Sequence, residues 1–154
     1  MNYINWTAEE LLELQRINNY SELVEFALEK LEKLPKPVIQ VCGPLTTGGR
    51  GSFSENLKHF GKAIDFLNDQ GRVVFDQRPF ETPFRKLENQ KVKQQNGYDT
   101  DLLEKFYLPL FESGRLSELY FLPGWEYSTG ARWEHDQAKR LGIKISYASS
   151  SILV

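Results

Sequence analysis

Glu134 is the residue best placed to carry chemistry. It stands in the segment 122–138 (LPGWEYSTGARWEHDQA), four residues after Gly130 and six after Ser128. Pro123-Gly124 turns the chain sharply, and Ser128 or Thr129 can cap a helix that follows. A carboxylate near the start of that helix is favoured in its ionised form by the positive helix end, and an ionised carboxylate can act as a nucleophile. From spacing alone, a plain surface helix with Glu134, His135 and Asp136 all solvated is the stronger reading. Glu126 is a second carboxylate close by, and carboxylate pairs divide attack and proton handling in glycosyl transfer. It reads equally as an exposed loop charge. Trp125 and Tyr127 are aromatics able to pack on a flat ligand. His135 points about 100° away from Glu134 on a helix and reads as structural or surface.

A second candidate stretch is GPLTTGGRGS, which holds Gly43, Leu45, Thr46, Thr47, Gly48, Gly49 and Arg50. Glycines let backbone N–H groups approach an anion, and a following helix offers its positive end. The spacing is neither that of a P-loop nor GxGxxG. A βα turn with no ligand remains open beside the anion cradle. Asp76 is a third candidate, at the exit of a short apolar run.

The elements that must position these residues follow from periodicity. Thr7 and Glu10 form a capping box ahead of Leu11, Leu12 and Leu14, and residues 21–34 repeat apolar side chains at helical spacing before Pro35 and Pro37. Residues 1–36 therefore read as a helical extension packed on the core, too short to build a core of their own. The run VIQVC, Val38–Cys42, reads as a strand. It leads through the glycine turn into a helix over 54–70, with Gly71 as its cap, and into a strand over 73–75. Residues 77–99 are irregular and read either as a lid or binding loop or as a solvated insertion or short extra helix. A helix over 100–113, a strand over 118–122, a helix over Thr129–Leu141 and a strand over 143–147 complete the alternation. The expected fold is α/β: a Rossmann-like three-layer sandwich whose mostly parallel sheet has about four to five strands, over residues 37–154. In such sheets ligands bind at the carboxyl ends of the strands, which is where the three candidate stretches converge.

Bulk composition bounds the function. The 154 residues suit one core, and a net charge of −2 supplies no basic field for nucleic acid or acidic lipid. Lys86, Lys91 and Lys93 form only a local basic cluster. The single cysteine, Cys42, cannot form an internal disulfide and is too few for a multi-cysteine zinc site. No apolar run approaches the ~20 residues of a membrane span, and the N-terminus is acidic where a signal peptide is basic. A cytoplasmic location, no membrane partner, no metal and no cofactor are the expectations.

CGPLTTGGRG followed later by SELYFLPGWEYSTGARWEHDQA resembles the nucleoside 2-deoxyribosyltransferase superfamily. It is similar to uncharacterised small phage and bacterial proteins with an LPGWExSxGAxxE-like segment, and to the 2′-deoxynucleoside 5′-phosphate N-hydrolases. The resemblance covers roughly residues 38–147. It implies cleavage or transfer at an N-glycosidic bond of a nucleoside or nucleoside 5′-monophosphate, with Glu134 as nucleophile at C1′. The alternative is a module that binds or senses a nucleotide without turnover. Ser128 stands where the hydrolases contact the 5′-phosphate, which favours hydrolase over transferase. The resemblance further implies a homodimer or larger assembly. Leu45-Thr46-Thr47 replaces an Ile-Arg pair of the hydrolases, with Arg50 as a substitute cation, and Glu118 occupies the place of an early strand-three aspartate. Asp76 and Glu126 are the candidates for the proton donor to the leaving base.

Overall fold

Four short apolar runs, separated by helical stretches, pair into one parallel sheet. The computed structural model describes residues 3–44, 53–90 and 101–153. Leu45, Thr46, Thr47, Gly48, Gly49 and Arg50 of the glycine turn, with Lys91 and Lys93, lie outside the described residues. The elements run α1 (Ala8–Gln15), α2 (Tyr20–Lys33), β1 (Val38–Cys42), α3 (Phe53–Asp69), β2 (Val73–Val74), α4 (Glu81–Asn89), α5 (Leu108–Glu112), β3 (Glu118–Phe121), α6 (Thr129–Leu141) and β4 (Lys144–Tyr147). The sheet order is β2-β1-β3-β4, and every pair is parallel.

Both faces of the sheet are covered, as parallel sheets require. β1 alternates accordingly. Ile39 and Val41 join Phe60, Ala63, Ile64 and Leu67 of α3 on one side. Val38 and Cys42 point to the other side, into a larger cluster with Leu14 of α1, Leu23, Ala27 and Leu31 of α2, Phe84 of α4, Leu110 of α5 and Ala138 of α6. The result is the expected three-layer α/β sandwich, with one α-helix on one face and five on the other among the described residues. α1 and α2 bury their apolar faces in the same cluster as the sheet. Tyr107 and Phe111 are buried in it too, and Trp133 packs at 6.0 Å on Phe111, so these three aromatics serve this chain's own core.

Local chemistry sets most boundaries. Thr7 accepts from the Glu10 N–H while the Glu10 carboxylate takes the Thr7 N–H, closing the capping box. Gly71, past the end of α3, and Gly142, past the end of α6, sit at φ values of 80° and 72°. The edge strand β2 is covered by the N-terminal segment, where Asn5 donates to the Val74 carbonyl and Trp6 Nε1 to the Asp76 carbonyl.

Of the readings open for residues 77–99, the short helix is what residues 77–90 contain. They form a single 3-10 turn, Arg78–Phe80, that runs directly into α4. Pro79 and Pro83 do not prevent this, because both fall in first turns, where a missing N–H leaves nothing unsatisfied. The expected helix over 100–113 is interrupted as well. Leu102–Tyr107 is wound as a π-helix ahead of α5, and the Leu108 N–H reaches back to the Leu103 carbonyl. Pro109, at the start of α5, has no N–H for the regular helical bond, which accounts for the wider turn. No helix among the described residues is long and apolar enough to cross a membrane.

Candidate functional site

The strand order places a reversal between β1 and β3. The chain leaves β1 through α3 on one face and leaves β3 through α6 on the other. A crevice must open between the carboxyl ends of those two strands. A cavity of about 300 Å³ lies there, lined by Gly43 after β1, Gln77 after β2, and Ser128, Gly130, Ala131 and Glu134 after β3. Its other wall comes from α4 and the π-helix: Glu81, Phe84, Arg85, Glu88, Leu102, Leu103 and Tyr107.

Gly43 is the hinge of this arrangement. A Cβ there would lie 2.9 Å from Leu122 Cβ, so only glycine lets the ends of β1 and β3 approach this closely. After β3, Gly124 takes φ 87° and a 3-10 turn, Trp125–Tyr127, delivers Ser128 in an extended conformation. Ser128 caps α6, its Oγ accepting the Ala131 N–H at 3.3 Å. The serine is buried, and its own hydroxyl proton remains available to a ligand in the cavity.

Glu134 is the sixth residue of α6 and is 8% exposed. Its carboxyl reaches β1, where Oε2 accepts from Gln40 Nε2 at 3.2 Å and from Cys42 Sγ at 3.3 Å. Two expectations are thereby corrected. The residue is not a solvated surface charge, and it is not in the first helical turn, which contains no acidic residue. The helix end therefore does not hold it ionised. Burial dominates and raises its pKa to about 8, while the bonds from Cys42 and Gln40 lower it only in part. Cys42 is itself fully buried, and desolvation together with the adjoining Glu134 pushes its thiol well above the ordinary range. It is a weak donor to the carboxyl and not a thiolate.

Two buried amides belong to the site, Gln77 lining the cavity and Gln40 holding Glu134. Gln77 Nε2 donates to the Val41 carbonyl at 2.7 Å, which fixes the amide orientation. Its buried Oε1 has no partner among the described residues. Since Gln77 lines the cavity, that oxygen is an acceptor open to a ligand N–H or O–H. Gln40 Oε1 is also buried and without a partner among the described residues.

The remaining sequence candidates fall elsewhere. Asp76 is locked by Arg78, with Nε at 2.9 Å and Nη2 at 2.7 Å, plus the Arg78 N–H at 3.1 Å. Arg78 in turn lies over Tyr3 at 5.1 Å and needs Gly61 for room, since a Cβ there would stand 2.8 Å from Nη1. Asp76 does not line the cavity. Glu126 is exposed and also outside it. Trp125 stacks at 4.1 Å on His135, whose Nε2 bonds the Tyr147 hydroxyl at 2.7 Å. Desolvation, followed by nearby Lys139, lowers the His135 pKa and keeps the ring neutral in that stack. Tyr127 is 77% exposed. Neither aromatic borders the cavity; Phe84 and Tyr107 do. Glu118 sits at the far end of β3, bonded to Arg72 and Ser146.

Glu81 was not visible to the sequence reading. It opens α4, faces the cavity, and its carboxyl has no hydrogen-bond or ion-pair partner among the described residues. Desolvation raises its pKa to about 7, opposed by Arg85 and reinforced by Glu88. Among the described residues, no group of three His, Cys, Asp or Glu side chains is arranged to hold a metal ion.

A family model described as a domain of unknown function (DUF4406) matches residues 110–147, from within α5 to the end of β4. That span contains Ser128, Gly130 and Glu134 but neither β1 nor α4. No curated protein and no solved structure matches the chain.

Proposed function

We propose that this protein cleaves, or transfers across, the N-glycosidic bond of a nucleoside or nucleoside 5′-monophosphate, with Glu134 as the nucleophile at C1′. The observation that carries the reading is the burial of Glu134 at the β1/β3 crevice, beside a cavity large enough for a small ligand. The carboxyl is oriented by Gln40 and Cys42 through one oxygen only. A carboxylate whose pKa is raised is intrinsically more nucleophilic once ionised, and it stabilises the positive charge of an oxocarbenium-like transition state. Ser128 and the start of α6 suit a 5′-phosphate or 5′-hydroxyl. Phe84 and Tyr107 offer apolar surface to a base, and Gln77 Oε1 accepts one of its N–H groups. Hydrolysis is favoured over transfer, since water is the acceptor always present.

One observation favours a second reading, a nucleotide-binding module without turnover. With a pKa of about 8, only roughly a tenth of Glu134 is ionised at pH 7. A neutral carboxyl is a hydrogen-bonding group first. The test is incubation with a panel of ribo- and deoxyribonucleoside 5′-monophosphates at pH 7–8.5, read by chromatography for free base. Wild type is expected to release base, and Glu134→Ala is expected to lose at least 10³-fold (roughly, from the size of nucleophile deletions) while staying folded. Thermal stabilisation by a nucleotide with no base released over hours supports the binding module instead. Release that survives in Glu134→Ala removes the assignment.

A further inference from the structure

A glycosidic bond to a neutral base breaks slowly unless the base is protonated as it leaves. The two carboxylates expected for that task, Asp76 and Glu126, are excluded by position. Asp76 is bound bidentately by Arg78 and does not reach the cavity, and Glu126 points to solvent. The cavity nevertheless has a second acidic wall. Glu81, Arg85 and Glu88 stand on α4, one helical face, since residues three and four apart lie together. Of the two carboxyls, Glu88 is exposed and Glu81 is half-buried. Glu81 lines the same cavity as Phe84, Tyr107 and the α6 residues Gly130, Ala131 and Glu134. It has no hydrogen-bond or ion-pair partner among the described residues, so nothing within them competes for its proton.

We infer that Glu81 is the catalytic acid and base of this site, giving a proton to the departing base and taking one from the incoming water. The inference rests on the glycosidase reading above. In the first half-reaction a Glu134 oxygen bonds C1′. The C1′–N bond breaks with its electron pair going to the base, and the Glu81 proton goes to that base, which leaves neutral. In the second half-reaction Glu81, now a carboxylate, takes a proton from water. The water oxygen bonds C1′, and the Glu134 ester oxygen leaves as a carboxylate. The products are free base and free sugar, and both carboxyls return to their starting states.

The productive state has Glu134 ionised and Glu81 protonated. Burial raises Glu134 to about 8 and Glu81 to about 7, so the commoner singly protonated form is the opposite one. Among the described residues, Arg85 and Glu88 are the other charged groups lining the cavity, and they act on Glu81 in opposite directions. Turnover should then follow a bell with half-points near 7 and 8, each belonging to the pair and not to one residue.

The test compares wild type and Glu81→Gln on three nucleotides. One is the best neutral substrate of the panel. The others are N7-methylguanosine 5′-monophosphate and nicotinamide mononucleotide, whose bases already carry the positive charge and leave without a proton. Glu81→Gln is expected to lose about 10²–10⁴-fold on the neutral substrate, the usual worth of general acid catalysis. On the cationic pair its kcat/KM, which reads only the first half-reaction, should stay within about tenfold of wild type, while kcat falls because water loses its base in the second; the retained kcat/KM also shows that the variant is folded. On the neutral substrate its residual activity should lose the alkaline limb and rise with a midpoint near 8. Equal losses of kcat/KM on all three substrates, or no loss on any, overturn the role of Glu81 and leave the glycosidase reading standing. No base released by wild type from any nucleotide overturns the glycosidase reading, and the proposal with it.

Discussion

Two glutamates flank the same sheet, and their surroundings differ in kind. Glu118 sits at the entry of β3. It is bonded by Arg72 at 2.8 Å and by the Ser146 hydroxyl, with Lys144 at 3.6 Å. Although burial works against it, these partners hold its carboxyl below the ordinary range. Glu134 sits beyond the exit of the same strand and meets an amide and a thiol, with no cation among its bonds. Burial wins there, and its pKa rises to about 8. A carboxylate buried for stability is given its counter-charges. A carboxyl buried without them lowers stability wherever it must ionise, and is retained for another reason.

The comparison makes opposite predictions for the same substitution. Glu134→Gln should stabilise the protein at alkaline pH, by on the order of 4 kcal/mol above pH 8. The folded pKa is raised above the unfolded one, so the stability tied to the neutral form is intact below about 4.5 and falls away as pH rises through about 8. A neutral amide avoids that loss. Thermal unfolding of wild type and variant should nearly coincide below about pH 4.5, diverge progressively up to about pH 8 and stay apart by a constant amount above it. A variant less stable at pH 9 would mean that the site favours the carboxylate.

Glu118→Gln should do the reverse and cost about 1–3 kcal/mol at neutral pH, less than a fully buried pair because Arg72 is 35% exposed. Here the folded pKa is depressed, so the stabilisation is present above the unfolded value and disappears as pH falls through the folded one. The gap between wild type and variant should close on acidification. A gap that is independent of pH would assign the loss to packing instead of charge.

Much of this contrast was invisible in the sequence for a physical reason. β1 and α6 were read with the bounds they have, because apolar runs, the Ser128 cap and the C-terminal glycine are local signals. The βαβ alternation likewise fixed the sandwich. The burial of Glu134 depends on Gln40 and Cys42, 94 and 92 residues away along the chain, and no local pattern reports that. Glu81 was hidden differently. Pro79 and Pro83 read as breakers of a loop, whereas both occupy first-turn positions, and the helix they permit forms the second wall. Asp76 shows the converse: a promising position after a strand, consumed by an arginine two residues on.

Gly43→Ala probes the geometry that both glutamates share, since it loads the β1/β3 pair between them. The new Cβ would stand 2.9 Å from Leu122 Cβ, which moves only with its backbone. Overpacking of this sort costs about 1–3 kcal/mol. The strain lies at the crevice end, so Glu118 should keep its partners while the hold of β1 on Glu134 loosens. The check is Tm together with the pH midpoint of Glu134, read from its carboxyl NMR resonance. A fall in Tm with that midpoint unmoved would separate the strand ends from the site.

The smallest effect is the most specific one. Cys42→Ser replaces a weak S–H donor to Glu134 by a stronger O–H donor of similar size. A bond to the charged form favours it, so the Glu134 midpoint should move down from about 8, by less than about one unit. Cys42→Ala removes the donor, leaves Gln40 as the partner of Oε2, and should move the midpoint up. Neither change touches Glu118, at the other end of the sheet, and its titration should be identical in all three proteins. Opposite shifts at Glu134 with a fixed Glu118 would establish that the thiol tunes this carboxyl through one bond. Equal shifts in both variants would show that the cysteine acts only by filling space.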